Sequence, residues 1–152
     1  MIKLTRKMLY ALEAVVDIAY NSSADPTQAR EIAKRQGIPQ RYLEQVMQKL
    51  VRAGVLKGVR GPRGGYRLAR ERRRITVGEI LRVVYSTELT TRDLLNMEPG
   101  SDLAEKVIRP LWRDVRESFM RKINTITIED LCQRAHAKGV DSRTAERVQF
   151  DI

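Results

Sequence analysis

Apolar residues recur at three- and four-residue steps along most of the chain, a period that predicts helices. From Thr5 onward, Met8, Leu12, Val15, Val16 and Ala19 share one face of a helix that stops near Asn21-Ser22-Ser23, ahead of Asp25-Pro26. Thr27 is placed to cap a short second helix presenting Ala29, Ile32 and Ala33, with Gly37 as its stop. After only Ile38-Pro39 a third helix begins, its apolar positions Leu43, Val46, Met47, Leu50 and Val51 holding helical spacing and Gly54 supplying a left-handed end. Its other face reads Gln40, Arg41, Glu44, Gln45, Gln48 and Arg52. Two helices joined by a tight glycine turn, the second with long hydrogen-bonding side chains outward, form the pattern of a helix-turn-helix.

The period then changes. Residues 55–60 and 66–69 read as short strands flanking a Gly-Pro-Arg-Gly-Gly turn, which predicts a basic β-hairpin. Behind a helix-turn-helix such a hairpin is the wing of a winged helix, with Arg60, Arg63 and Arg67 placed to follow phosphates or enter a minor groove. Gly64 and Gly65 are expected to adopt positive φ and to leave room for a duplex. Thr76-Val77-Gly78-Glu79 reads as a capping box opening a helix with Ile80, Leu81 and Val84, expected to pack under the wing. Residues 86–101 are mostly polar and read as a connection. From about Asp102 to Asn124 a long helix carries Leu103, Val107, Leu111, Val115, Phe119 and Ile123 at four-residue spacing, kinked or restarted at Pro110. An apolar stripe at that spacing drifts around the helix, and a partner subunit is its simplest cover. Thr127 caps a last helix with Ile128, Leu131 and Ala135 that ends near Gly139, and the residues beyond read as a flexible tail. The division expected is a DNA-binding domain at 1–85, a connection at 86–101, dimerisation helices at 102–138 and a tail at 139–152. The fold class is mainly α.

The distribution of charge points to a partner. The formal net charge is +10, and all of the excess lies in residues 1–74, with 17 Lys and Arg against 6 Asp and Glu. Residues 75–152 hold 12 against 13. A basic half threaded with glycines suits a polyanion, nucleic acid first among them. One cysteine, Cys132, excludes an intramolecular disulfide, a CxxC motif and a Cys-only metal site within one chain. No apolar run approaches the ~18 residues of a membrane span and no signal peptide is evident, so a cytoplasmic protein without membrane contact is expected. No nucleophile elbow, HExxH, P-loop or dinucleotide fingerprint occurs, so no enzyme is expected.

Tyr42-Leu43-Glu44-Gln45, then Leu50 and Ala53-Gly54, then Arg60-Gly61-Pro62-Arg63-Gly64-Gly65-Tyr66 with Leu68-Ala69, resemble the Rrf2 family of winged-helix bacterial repressors. Lys3-Leu4-Thr5, Tyr10-Ala11, Glu31-Ile32-Ala33, Gly37-Ile38, Thr76-Val77-Gly78-Glu79-Ile80, Leu111-Trp112, Ile126-Thr127-Ile128 and Asp130-Leu131 extend the likeness over residues 2–137. The resemblance implies a homodimer on an imperfect palindrome, its long C-terminal helix crossing onto the partner. It also implies that Gln40, Arg41, Tyr42, Glu44 and Gln45 face the major groove, that Arg60 and Arg63 serve the wing, and that Arg6, Lys7 and Gln28 hold phosphates. Arg reads guanine, Gln adenine, and Glu accepts from cytosine, which suits the polar members. Tyr42 is equally suited to the core. Leu111, Trp112, Val115, Phe119 and Ile123 are expected at the dimer interface, with a small-molecule pocket at Trp112 and Phe119 as the alternative.

The chain departs from the family's cluster-binding members, which carry three cysteines before the long helix. Residues 86–107 hold none, so no cofactor is expected and a conventional iron-sulfur cluster is excluded. Glu129, Cys132 and His136 fall at i, i+3 and i+7 on one helix face and remain the alternative metal donors, with packing the simpler role for the cysteine. The leading reading is a sequence-specific dimeric transcriptional regulator, expected to repress, with a small-molecule or protein effector. Its alternatives are a regulator controlled by a protein docked on the near-neutral C-terminal half and a nonspecific nucleic-acid binder.

Overall fold

The computed structural model describes residues 4–85, 98 and 100–142. Most of the expected connection, at 86–97 and 99, and most of the tail, at 143–152, lie outside the described residues.

Helix α1 (Arg6–Tyr20) is the centre of the fold. Thr5 opens it with a capping box, its hydroxyl accepting from the Met8 N–H at 3.3 Å while its own N–H reaches the Met8 sulfur. Ala11, Ala14 and Ala19 are buried beside Val15 and Ile18, and these small side chains let α2 (Ala29–Gln36), α3 (Gln40–Arg52), α4 (Val77–Tyr85) and α6 (Ile128–Ala137) all reach α1. Gly37 ends α2 at φ 64°, a left-handed conformation that glycine adopts without steric cost, and so turns the chain into α3 within three residues. Leu43, Val46, Met47 and Leu50 then point inward from α3.

Strands β1 (Leu56–Val59) and β2 (Gly65–Leu68) pair antiparallel, with Leu56 opposite Leu68 and Val59 opposite Gly65. Thr27 extends this hairpin instead of capping α2. It is buried, and it exchanges backbone hydrogen bonds with Tyr66 at 3.0 and 2.8 Å, so the cap position passes to Gln28, which makes no side-chain cap. The positive φ of the turn belongs to Gly61, at 111°. Gly64 and Gly65 are required by close backbone approach within the protein: a Cβ on Gly65 would lie 2.4 Å from the Thr27 carbonyl oxygen, and one on Gly64 2.3 Å from that of Val59.

Only half of the box expected at α4 forms. Thr76 accepts from the Glu79 N–H at 3.2 Å, but the Glu79 carboxylate turns to Arg70. The main neighbours of α4 are α1, α3 and α5 rather than the hairpin, because its buried residues Ile80, Leu81 and Val84 face the helical core. Helix α5 (Arg109–Thr125) follows a π-helical turn at Ala104–Ile108. Proline has no N–H to give, and with Pro110 in the first turn of α5 the helix restarts there. A bridge between Thr76 and Thr127 and a reciprocal capping box at Thr127 and Asp130 lead into α6. Ile123, Ile128 and Cys132 then join the core cluster built on α1.

Candidate nucleic-acid interface

The burial of Leu43, Val46, Met47 and Leu50 forces the intervening side chains of α3 outward. Gln40, Arg41, Tyr42, Glu44 and Gln45 are all exposed, and Gln40 donates to Glu44 across one helical turn at 3.2 Å. Tyr42, which suited core or groove, is half exposed at 50%. Arg60 and Arg63 are exposed at the tip of the hairpin, which follows α3 through Gly54 and packs on it through β1. Arg6 is exposed in the first turn of α1, with Lys7 half-buried beside it. Gln28 is half-buried ahead of α2 and accepts from the Arg30 guanidinium at 2.7 Å.

Arg67 does not stand among the free phosphate-seeking groups. Its guanidinium donates to the carbonyls of Ser23, at 3.2 Å, and Ala24, tying the base of the hairpin to the loop between α1 and α2. Sequence reasoning also passed over Asp17, a buried carboxylate on an otherwise apolar helix face, which receives Arg35 and Gln36. Its only signal was its position between Ala14 and Ile18 on the buried side of α1.

Along α5 and the turn before it, Leu103, Val107, Ile108, Leu111, Trp112 and Val115 are exposed large apolar residues. Phe119 is half-buried against the core, and Ile123 is buried in this chain's own core at 8% exposure, because α5 crosses α4 at that end. Within this one chain Glu129, Cys132 and His136 do not assemble a donor set. Arg72 holds the Glu129 carboxylate, His136 is exposed, and Cys132 is buried so that desolvation pushes its thiol up, away from the thiolate a metal needs. Among the described residues no group of three His, Cys, Asp or Glu side chains is placed to hold a metal ion.

A buried three-helix unit whose last helix turns polar side chains outward, followed by an arginine-tipped hairpin, defines a winged-helix DNA-binding protein. The family model described as "Rrf2: Iron-dependent Transcriptional regulator" matches residues 4–134. The chain is 35% identical over 142 residues to the HTH-type transcriptional regulator IscR of Escherichia coli, covering 93% of this chain and 86% of that protein. Among solved structures it is similar to T. potens IscR, at 33% identity and a TM-score of 0.73 over 92% of this chain and 93% of that one. It is also similar to CymR, the global cysteine regulator of B. subtilis, at 30% identity and a TM-score of 0.71 over 88% and 98%. The chain belongs to the Rrf2 family. It is a DNA-binding transcriptional regulator, and its relatives are regulators rather than enzymes.

The family description names iron, and the described residues do not fit an iron-sulfur cluster. Clusters are held by several thiolates. The whole chain has one cysteine, its thiol is driven toward the protonated form, and its acidic neighbour Glu129 is already paired with Arg72. No described helix is long and apolar enough to cross a membrane.

Proposed function

We propose that the chain acts as a homodimer that binds a palindromic operator in a sequence-specific way and represses transcription. In this reading residues 1–85 carry the DNA contacts. Gln40, Arg41, Tyr42, Glu44 and Gln45 enter the major groove, Arg60 and Arg63 follow the adjacent backbone or minor groove, and Arg6, Lys7 and Gln28 hold phosphates. Residues 102–138 supply the dimer contact, centred on Leu111, Trp112 and Val115. The observation that carries it is the division of labour on α3, with an inward row fully buried and an outward row of long polar side chains exposed beside a basic wing. The exposed apolar ridge of α5 supports the dimer, because monomeric proteins rarely leave so long an apolar stripe in water.

Selection of bound sequences from random duplex DNA, with sedimentation of the free protein and a transcription assay on the selected site, tests this reading. A two-fold symmetric consensus, preferred over random DNA by ~10³ or more at physiological salt, together with a dimer and reduced transcription, is expected. A monomer that binds all duplexes alike overturns it.

A further inference from the structure

Between the C-terminal end of α1, strand β2 and the basic turn at Arg72–Arg74 lies a cleft of about 770 Å³. That volume lies within the ~300–1,000 Å³ of small-molecule sites. Its floor is apolar, formed by Ile18, Ala19, Tyr66 and Leu68. Its rim carries four arginines against three carboxylates. A second cleft of about 430 Å³ adjoins it, with Ala19, Ser22, Arg72 and Glu129 common to both, so the Arg72–Glu129 ion pair borders both spaces.

The four guanidiniums are not equally committed. Arg70 is held by Glu79 and the Arg74 carbonyl, and Arg72 by Glu129. Arg73 pairs with Glu71 two residues away while both stay largely exposed, at 69% and 60% of their side chains. An exposed pair of that kind is worth little and exchanges readily. Arg67 donates to the Ser23 and Ala24 carbonyls, neutral acceptors that leave its charge in place, and Asp25 is the rim carboxylate next in the chain. An apolar floor below one guanidinium bonded to neutral carbonyls, with N–H donors left over from its five, and one exchangeable guanidinium is complementary to a small anion with an apolar body.

We propose that this cleft binds a small organic anion, a carboxylate, sulfonate or phosphate carried on an aromatic or aliphatic body, with the anionic group at Arg67 and Arg73. The Thr27–Tyr66 bridge and the Arg67 hydrogen bonds both tie the hairpin to the loop after α1, and all the residues in them except Ala24 line the cleft. Occupancy therefore bears on the anchoring of the wing, and through it on DNA affinity. That second consequence rests on the DNA-binding reading above, whereas the binding itself does not.

The test uses naphthalene-1-sulfonate as probe and amide NMR of the full chain. Saturable shifts confined to the amides of Ser22, Ser23, Thr27, Tyr66, Arg67 and Glu129, with a Kd below about 1 mM, are expected. Arg73→Gln should weaken binding by about tenfold, the effect of one charge-assisted hydrogen bond, and Ser22→Trp, placed to fill the space, should abolish it while thermal melting shows a folded protein. Shifts confined to the α5 ridge, shifts that do not saturate, or unchanged binding in Arg73→Gln overturn the site. Duplex DNA affinity is measured first without probe, which tests the DNA-binding reading alone. A severalfold change in that affinity on saturation supports the link to the wing, and no change removes the link while the NMR result stands.

Discussion

The Asp17 carboxylate and the Arg35 guanidinium meet in a two-point pair, Nη2 to Oδ1 at 2.8 Å and Nε to Oδ2 at 2.9 Å, with the Asp17 side chain wholly out of solvent. Gln36 adds a third donor at 2.8 Å. A buried carboxylate is tolerated only when its lone pairs are met, and here they are met by the last turn of α2. The pair therefore pins the end of α2 to α1 just before Gly37 turns the chain into α3. It fixes the point from which the turn into α3 starts, while the buried row of α3 decides which face lies outward.

Removing one partner should cost more than an exposed ion pair would suggest. Arg35→Ala leaves Asp17 buried without its main counter-charge and is expected to destabilise the fold by about 2–4 kcal/mol, below the top of the range for buried pairs because the Arg35 side chain is 31% exposed. Glu71→Gln, which breaks an exposed pair, should change stability by less than about 0.5 kcal/mol. Urea unfolding of the two variants checks the contrast, and equal losses would remove the special standing of Asp17.

The hairpin offers a comparison between two of its glycines. Gly65→Ala would drive a methyl into the Thr27 carbonyl, and a loss of roughly 1–3 kcal/mol is expected as the hairpin moves off its anchor. Gly58→Ala meets nothing within 4 Å and needs no positive φ, so it should be neutral or should stabilise by up to about 1 kcal/mol. Thermal melts of both variants decide this. A tolerated Gly65→Ala would mean that the Thr27–Tyr66 bridge is dispensable.

Much of the DNA-binding half was legible in the sequence because its signals are local. The apolar steps in α1 and α3, the glycine after α2 and the two runs flanking Gly61–Gly65 each declare an element within a short stretch of chain. What escaped depends on contacts between distant segments. Thr27 looks like a cap until Tyr66 arrives beside it, Glu79 looks like a box partner until Arg70 takes its carboxylate, and Arg67 looks free until the Ser23 and Ala24 carbonyls are in place. Ile123 keeps the four-residue spacing of the exposed stripe, and only the packing of α4 on α5 shows that it turns inward.

Wing and recognition helix should separate in salt titrations. Arg60→Ala and Arg63→Ala are expected to weaken binding to all duplexes and to lower the salt slope by up to ~0.9 for each phosphate no longer neutralised. Glu44→Ala should change which operator is preferred with little effect on the slope, since a base contact releases no counterion. Fluorescence anisotropy over a salt series, on specific and random duplexes, measures both. An unchanged slope in the wing variants would place the wing away from the DNA.

A charge in the middle of the α5 ridge should split the proposed dimer. Leu111→Asp puts a carboxylate on a residue that is more than half exposed in the single chain, so the subunit itself should fold as before. If the ridge is the interface, burying that charge should weaken association by roughly 30-fold or more, the level of a central interface residue. Sedimentation equilibrium gives the constant, and a variant that associates like the parent would move the interface elsewhere.

Cys132 gives a prediction in pH. Burial pushes its thiol above the ordinary value of 9.0, with Arg72 pulling the other way by less. The native thiol should therefore react with a disulfide reagent at pH 8 far more slowly than the unfolded chain does. The sign for stability follows from the same shift. A thiol whose folded pKa is raised binds its proton more tightly in the native state, so its contribution is complete below the unfolded pKa and declines as pH rises through the folded one. The stability difference between the parent and Cys132→Ala should accordingly be constant from pH 6 to 8 and shift against the parent above pH 9. Urea unfolding at matched pH values measures it, and a difference that grew in favour of the parent at alkaline pH would mean that Cys132 is held as a thiolate.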